Sequence, residues 1–353
     1  MNQVPKYYTP INDDIYLAGT FTNWAPNDPN FKFAKVTHNT YQVIFSLPIG
    51  SYQYKVTRGS WDTGEANNDG SFMANRNLQV SAGYSIINIG VSNWDDFKGF
   101  HTVVGNVEIL DRFFPYSQFN TTKQIWIYLP SDYYTSNKYY PVIYMQDAQN
   151  LFDSAFSAYG GEWRIDETME SFSNQGKPTA IIVGSTNVKN RDDELTPYPH
   201  PTRGGGKADL FADFIVNNLK PYIDSKFRTK PEREFTGIGG SSNGGLFTFY
   251  AGLKYQNVFS KLAIYSPSFW FNNTIFDFAF NSTDTYKDLK LYFYCGQKET
   301  AYPTIIPDMI YMMEILKLRG FNNIKSSIDA NGIHHEDYWA KEFPLTYEWF
   351  FLN

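Results

Sequence analysis

The chain has 353 residues, a formal net charge of −6 and a single cysteine, Cys295. No basic run interrupts that acidic balance, which excludes an electrostatic footprint for DNA or RNA, and one cysteine excludes an intrachain disulfide and a thiolate metal cluster. The length points to two domains, and an aromatic content of 18% supplies the apolar surface that two packed cores require.

The first elements in the chain are short, alternating strands: Ile15–Leu17, Tyr41–Phe45, Tyr52–Val56 and Ile86–Ile89. Gly, Pro, Asn and Asp clusters separate them, the pattern of an all-β immunoglobulin-like sandwich. Turn residues and weak periodicity from Gly90 to Thr102 place the domain junction there, so the predicted division is 1–98 and 99–353. Beyond it, buried-type strands at Ile125–Leu129, Val142–Met145, Ala180–Val183 and Leu291–Tyr294 alternate with helical spacing at Phe211–Ile223 and Ile306–Leu318. That alternation predicts a mainly parallel sheet covered by helices. No apolar run reaches the roughly 20 residues that span a bilayer, and Met1–Pro10 lacks the apolar stretch of a signal peptide.

Phe235–Gly239 runs as a strand into Gly240-Ser241-Ser242-Asn243-Gly244, and helical residues follow. A G-x-S-x-G turn between strand and helix holds a serine in a strained conformation with its hydroxyl exposed. Only Ser242 has glycine two residues to either side, so Ser242 is the candidate nucleophile, with a Gly/Ser-rich connecting loop as the alternative. A serine hydroxyl needs a base, and the base needs a carboxylate to fix its tautomer. Glu299 follows the strand at Leu291–Tyr294, and His334 and His335 stand near the end of the chain. The order Ser, acid, His is that of an α/β-hydrolase. Spacing leaves His335 open as a rival base and Glu336 as a rival acid. The five histidines and the acidic residues form no metal-ligand pattern, so neither a metal nor a cofactor is expected.

Around these residues, Thr102–Leu352 resembles the putative-esterase family of α/β-hydrolases. That group includes carbohydrate esterase family one feruloyl and acetylxylan esterases, enterobactin esterases and mycolyltransferases. Tyr140–Phe152 is similar to its strand ending in Asp-Gly-Gln-Asn-Leu-Phe, with Ala148 in place of the glycine. Arg191–Pro197 is similar to its Arg-x-x-Glu-x-Thr-Pro, and Gly240–Leu246 to its Gly-Ser-Ser-Met-Gly-Gly-Leu, with Asn243 in place of Met. The family's histidine is followed by Glu two residues later and Trp five later, which His334, Glu336 and Trp339 fit and His335 does not. The resemblance also implies an oxyanion hole from the backbone N–H groups of Gln149 and Asn243. Arg191, Glu194 and Arg203 are candidates for the cleft, with an Arg191–Glu194 ion pair as the structural alternative; Trp163, Phe269 and Trp270 are candidates for pocket walls or core.

Tyr16–Trp24, Gly50–Val56 and Gly59–Trp61 resemble motifs of starch- and glycogen-binding β-sandwich modules, which makes Trp24, Lys55 and Trp61 candidate sugar contacts; the alternative is a sandwich with Trp24 in its core that shapes or shields the esterase cleft. Together the resemblances imply a serine carboxylesterase acting on an acylated plant carbohydrate, of feruloyl or acetylxylan type. The alternatives are a siderophore esterase or acyltransferase with the same triad, and a non-catalytic polysaccharide-binding protein. The expected partner is a small-molecule or polysaccharide ester, with glycan at the N-terminal module; a plant polysaccharide substrate would imply a secreted or periplasmic protein.

Overall fold

Strand Val142–Gln146 is apolar and buried at nearly every position, as a strand must be when helices cover both faces of its sheet. It belongs to a computed structural model that describes residues 9–10, 12–37, 40–97, 101–158, 160–283 and 286–352. The expected boundary between 98 and 99 lies outside the described residues. Two compact units are present, 1–101 with 108–111, and 102–107 with 112–353.

The first unit is built of strands and single helical turns: β1 (Tyr16–Gly19), β2 (Ala34–Lys35), β3 (Tyr41–Gln42), β4 (Gly50–Thr57), β5 (Glu65–Ala66), β6 (Arg76–Val80) and β7 (Asn93–Trp94). β4 pairs antiparallel with β1 and β6, while β2 pairs with β3 and β5 with β7. Leu17, Tyr54, Val56 and Trp94 are buried in this unit. Its strands, joined by single helical turns with no α-helix among the described residues, agree with the expected β-sandwich module. Two expected strands differ. Tyr41–Phe45 pairs only over Tyr41–Gln42, and Ile86–Ile89 joins no ladder, with Ile86 75% exposed. Alternation reports which side chains share a face, whereas a ladder also needs a neighbour in register.

From residue 106 onward the chain carries β8 (Asn106–Tyr116), β9 (Thr121–Leu129), β10 (Val142–Gln146), β11 (Ile181–Ser185), the short pair β12 (Pro199–His200) and β13 (Gly204–Gly205), then β14 (Thr236–Ser241), β15 (Lys261–Tyr265), β16 (Lys290–Gly296) and β17 (Ile324–Asp329). Its helices are α1 (Ile165–Asn174), α2 (Arg191–Leu195), α3 (Ala208–Phe214), α4 (Lys220–Lys226), α5 (Asn243–Lys254), α6 (Thr274–Asn281), α7 (Ile305–Leu318) and α8 (Glu336–Phe351). A π turn at Ile215–Leu219 joins α3 to α4, so the predicted helix Phe211–Ile223 is part of one longer helical run.

An eight-stranded mixed sheet has the order β17-β16-β15-β14-β10-β11-β9-β8. β10, β11, β14, β15, β16 and β17 are parallel, and β9 is antiparallel to β11. This is the α/β-hydrolase architecture. From β10 the chain adds β11 on one side and then returns to lay β14 on the other. The order of strands therefore reverses between β10 and β14, and in open α/β sheets the crevice beyond the strand ends at such a reversal is where ligands bind. Ser242 follows β14 and Gln149 follows β10 at that point.

Candidate active site

Ser242 joins β14 to α5 with φ 60° and ψ −122°, a left-handed-side conformation that a non-glycine residue holds only when its surroundings impose it. Those surroundings are specific. Ser242 N–H donates to Tyr265 O (3.0 Å), and its carbonyl accepts from Leu246 N–H (3.0 Å) and Ser268 N–H (3.1 Å). A Cβ on Gly240 would meet the Gly244 backbone at 3.1 Å, and one on Gly245 would meet Tyr265 O at 2.6 Å. Both glycines are needed because backbones cross here without room for a methyl group.

Glu299 lies just past β16, and its side chain is almost wholly buried. Its Oε2 is 2.6 Å from His334 Nδ1. Its Oε1 accepts from Gly296 N–H (2.7 Å) and from the Ser266 hydroxyl (2.6 Å), and Ser266 Oγ accepts from Trp339 Nε1 (3.0 Å). Both carboxylate oxygens are therefore committed. The His334 ring lies edge-on to Trp339 (5.2 Å between centroids, 86°) and near Tyr302 (5.0 Å). His335 instead caps α8, accepting from Asp337 N–H at Nδ1 (3.3 Å), and buried Glu336 accepts from Asn150 Nδ2 (2.9 Å). The two rivals are thus engaged elsewhere.

Ser242 Oγ has Ser268 Oγ as its neighbour at 3.4 Å and makes no direct bond to His334. The segment Ser266–Ser268 nevertheless touches both groups: Ser266 holds Glu299, and Ser268 borders Ser242. Catalytic hydrogen bonds in unliganded enzymes are commonly long and tighten only on substrate binding. Local sequence patterns do not single out Ser266 and Ser268. Their position directly after a buried strand parallel to β14 and β16 is the signal that could have found them.

Gln149 sits in the single turn Ala148–Asn150 after β10, and Asn243 opens α5, where the first N–H groups have no intrahelical acceptor. The positive φ in this turn belongs to Asp147 (58°), not to Ala148, and the Ala148 methyl packs against Gly184 of β11. Alanine therefore meets no backbone strain at 148. Asp147 accepts from Arg191 Nε and a terminal guanidinium nitrogen (both 2.7 Å) and from Asn187 Nδ2 (2.5 Å). Burial alone would raise its carboxyl, but the Arg191 charge and these bonds hold it below the usual carboxylate value.

Several candidate residues take other roles. The expected Arg191–Glu194 pair does not form, because Arg191 turns to Asp147 while Glu194, with no exposed surface, pairs with buried Lys123 (2.8 Å). Trp163, 1% exposed, packs between Tyr265 (4.8 Å) and Trp339 (5.5 Å), and Phe269 packs on Phe249 (5.1 Å). Neither Glu194, Trp163 nor Phe269 presents a surface to a substrate. Trp270 is half-buried and stacks on Tyr302 (5.2 Å, 16°), with the Arg203 guanidinium 5.6 Å from its ring. In the N-terminal unit, Trp24 and Trp61 come together (6.0 Å), with Trp61 42% exposed, while Lys55 is buried over the Phe72 ring (4.0 Å). Lys55 is thereby withdrawn from the candidate sugar contacts. Among the described residues no group of three or more His, Cys, Asp or Glu could hold a metal ion, and no helix is long and apolar enough to cross a membrane.

The family model described as "Putative esterase" matches residues 117–350, about two-thirds of the chain and both halves of this site. The chain belongs to the putative esterase family. A second model, the pullulanase X25 domain, matches residues 15–88 of the N-terminal unit. The esterase-family chain is 26% identical over 246 residues to the uncharacterized protein YbbA of Bacillus subtilis strain 168, a match covering 65% of this chain and 92% of that one. It is 32% identical over 142 residues to a siderophore triacetylfusarinine C esterase of Aspergillus fumigatus, covering 38% and 46% of the two chains. Among solved structures, a ferulic acid esterase superposes with a TM-score of 0.50 at 16% identity, over 65% of this chain and 94% of the other, a likeness of fold. This esterase-family hydrolase is a carboxylic ester hydrolase.

Proposed function

We propose that the protein is a serine carboxylesterase that works through an acyl-enzyme. Ser242 attacks the ester carbonyl, His334 takes the hydroxyl proton and returns it to the departing alcohol, and Glu299 fixes the imidazole tautomer. The N–H groups of Gln149 and Asn243 stabilise the oxyanion. Water then repeats the sequence and releases the acid. The observation that carries this reading is the 2.6 Å Glu299–His334 contact beside the strained Ser242 turn. Rotation of Ser242 from Ser268 toward His334 completes the relay when substrate binds. The test is Ser242→Ala, which is expected to abolish both p-nitrophenyl acetate turnover and fluorophosphonate labelling; persistence of either removes Ser242 from this role.

For the substrate, an acylated carbohydrate with an aromatic acyl group accounts best for the stacked pair of Trp270 and Tyr302 beside His334, a flat aromatic surface against which an acyl ring can pack. In this reading residues 1–98 form a glycan-contacting module in which Trp24 and Trp61 stack on sugar rings, and residues 99–353 form the esterase. The relationship to the triacetylfusarinine C esterase favours a siderophore ester as the second reading. A panel of acetyl, butyryl, feruloyl and siderophore esters ranks the two. Affinity gels containing starch, run with wild type and Trp61→Ala, test the module: retention that survives the substitution refutes a stacking role.

A further inference from the structure

The residue after the candidate nucleophile is Asn243, where the resembled family stretch has methionine. Its side chain is 5% exposed and donates from Nδ2 to Asp192 Oδ1 at 2.7 Å. Asp192 stands at a position that the Arg-x-x-Glu-x-Thr-Pro pattern leaves open. Methionine has no N–H to give, so this bond is a directed link between the nucleophile turn and α2 that the family stretch as such does not specify. The other oxygen, Oδ2, is 3.4 Å from Arg203 Nε, and the Arg203 guanidinium lies over the rings of Trp270 (5.6 Å) and Phe271 (5.8 Å). Neighbouring Arg191 also reaches this turn, donating to Ser241 O at 3.3 Å while held by Asp147.

We infer that Asp192 is a positioning residue: by holding the Asn243 side chain it fixes the Asn243 backbone N–H at the place the oxyanion will occupy. Three physical points support this. The first turn of α5 begins at Asn243, so its N–H has no intrahelical bond to orient it. The turn is strained at Ser242, and strained backbone persists only where neighbours over-determine it. An oxyanion donor is useful only if its direction is set before charge develops, since reorientation during the reaction forfeits the gain. A carboxylate near an oxyanion would oppose it, and Arg203 on the second oxygen of Asp192 offsets that charge. The inference rests on the serine esterase reading above.

The test is a double-mutant cycle on p-nitrophenyl ester hydrolysis, with kcat and KM separated. Asp192→Ala and Asn243→Ala are each expected to lower kcat about tenfold with KM within about twofold, and the double variant to be no slower than the slower single one. Asp192→Asn keeps a carbonyl acceptor for Asn243 without the charge and is expected to recover most of the lost kcat. A purely structural role would not produce that recovery together with an unchanged KM. Single losses under twofold, losses that multiply in the double variant, or effects confined to KM overturn the inference; if Asp192→Ala does not fold, Asn243→Ala alone decides by the same kcat criterion. Ser242→Ala in the same series separates the two layers: residual turnover there refutes the esterase reading itself, whereas its inactivity with indifferent Asp192 and Asn243 variants refutes only the positioning role.

Discussion

Replacing Glu299 by Gln changes one charge and almost no volume, and the surrounding bonds dictate how the new amide must sit. Gly296 N–H can only donate, and it points at Oε1 (2.7 Å). Trp339 Nε1 also can only donate, and its bond to Ser266 Oγ turns the serine proton toward the same Oε1 (2.6 Å). Two donors therefore require an acceptor at that corner, so the carbonyl of the substituted amide takes it and the NH2 group is forced to face His334 Nδ1. His334 must then accept at Nδ1 and carry its proton on Nε2, the tautomer that cannot take a proton from Ser242. The expected fall in kcat is about 10³–10⁴-fold, or about 4–5.5 kcal/mol of transition-state stabilisation. KM should change little, because Glu299 is buried and both its oxygens are taken by His334, Gly296 and Ser266. Stability should change little as well, since both bonds at Oε1 survive; Glu299→Ala, by contrast, strands buried donors at about 1–3 kcal/mol each. Steady-state hydrolysis of a p-nitrophenyl ester, with thermal melting as the fold check, measures all three. A folded Glu299→Gln protein with kcat within tenfold of wild type would falsify the assignment of Glu299 as the group that fixes the histidine tautomer.

Three further outcomes are expected. Gly245→Ala puts a methyl group 2.6 Å from the Tyr265 carbonyl, a backbone atom that cannot swing aside, and should cost about 1–3 kcal/mol by urea denaturation; a neutral result refutes the close approach. Lys123→Met leaves Glu194 buried without its cation and should cost about 3–5 kcal/mol, with an unchanged midpoint counting against a buried pair at this place. Burial pushes the Glu162 carboxyl from 4.5 up to about 7, with the Glu167 and Asp153 charges adding to the rise. A carboxyl raised on folding contributes stability that is fully present below about 4.5 and is lost as pH rises through about 7, at most about 3 kcal/mol here. Glu162→Gln removes that loss, so its stability relative to wild type should increase between pH 5 and pH 8, and a pH-independent difference would refute the raised pKa.

Local patterns determined a good part of this protein. Buried-type runs such as Val142–Met145 and Leu291–Tyr294 became central strands because a strand covered on both faces needs apolar residues at every position, a requirement visible without knowing its neighbours. The Gly240–Gly244 spacing singled out Ser242, whose positive φ follows from the turn those glycines permit. Chain order brought Glu299 and His334 forward, and their contact follows from two parallel strands ending side by side.

Partner choice was decided only by the tertiary structure. Arg191 and Glu194 are one helical turn apart and read as a pair, yet Arg191 meets Asp147, just past β10, and Glu194 meets Lys123 from β9. Trp163 and Trp270 are the same residue type in the sequence, but one is enclosed by Tyr265 and Trp339 while the other, half-buried, stacks on Tyr302 next to His334. Ser266 and Asp192 had no local signature at all. Each acts through a group far away in the chain, and a distance between segments is a property of the packed sheet and its loops, which no window of sequence contains.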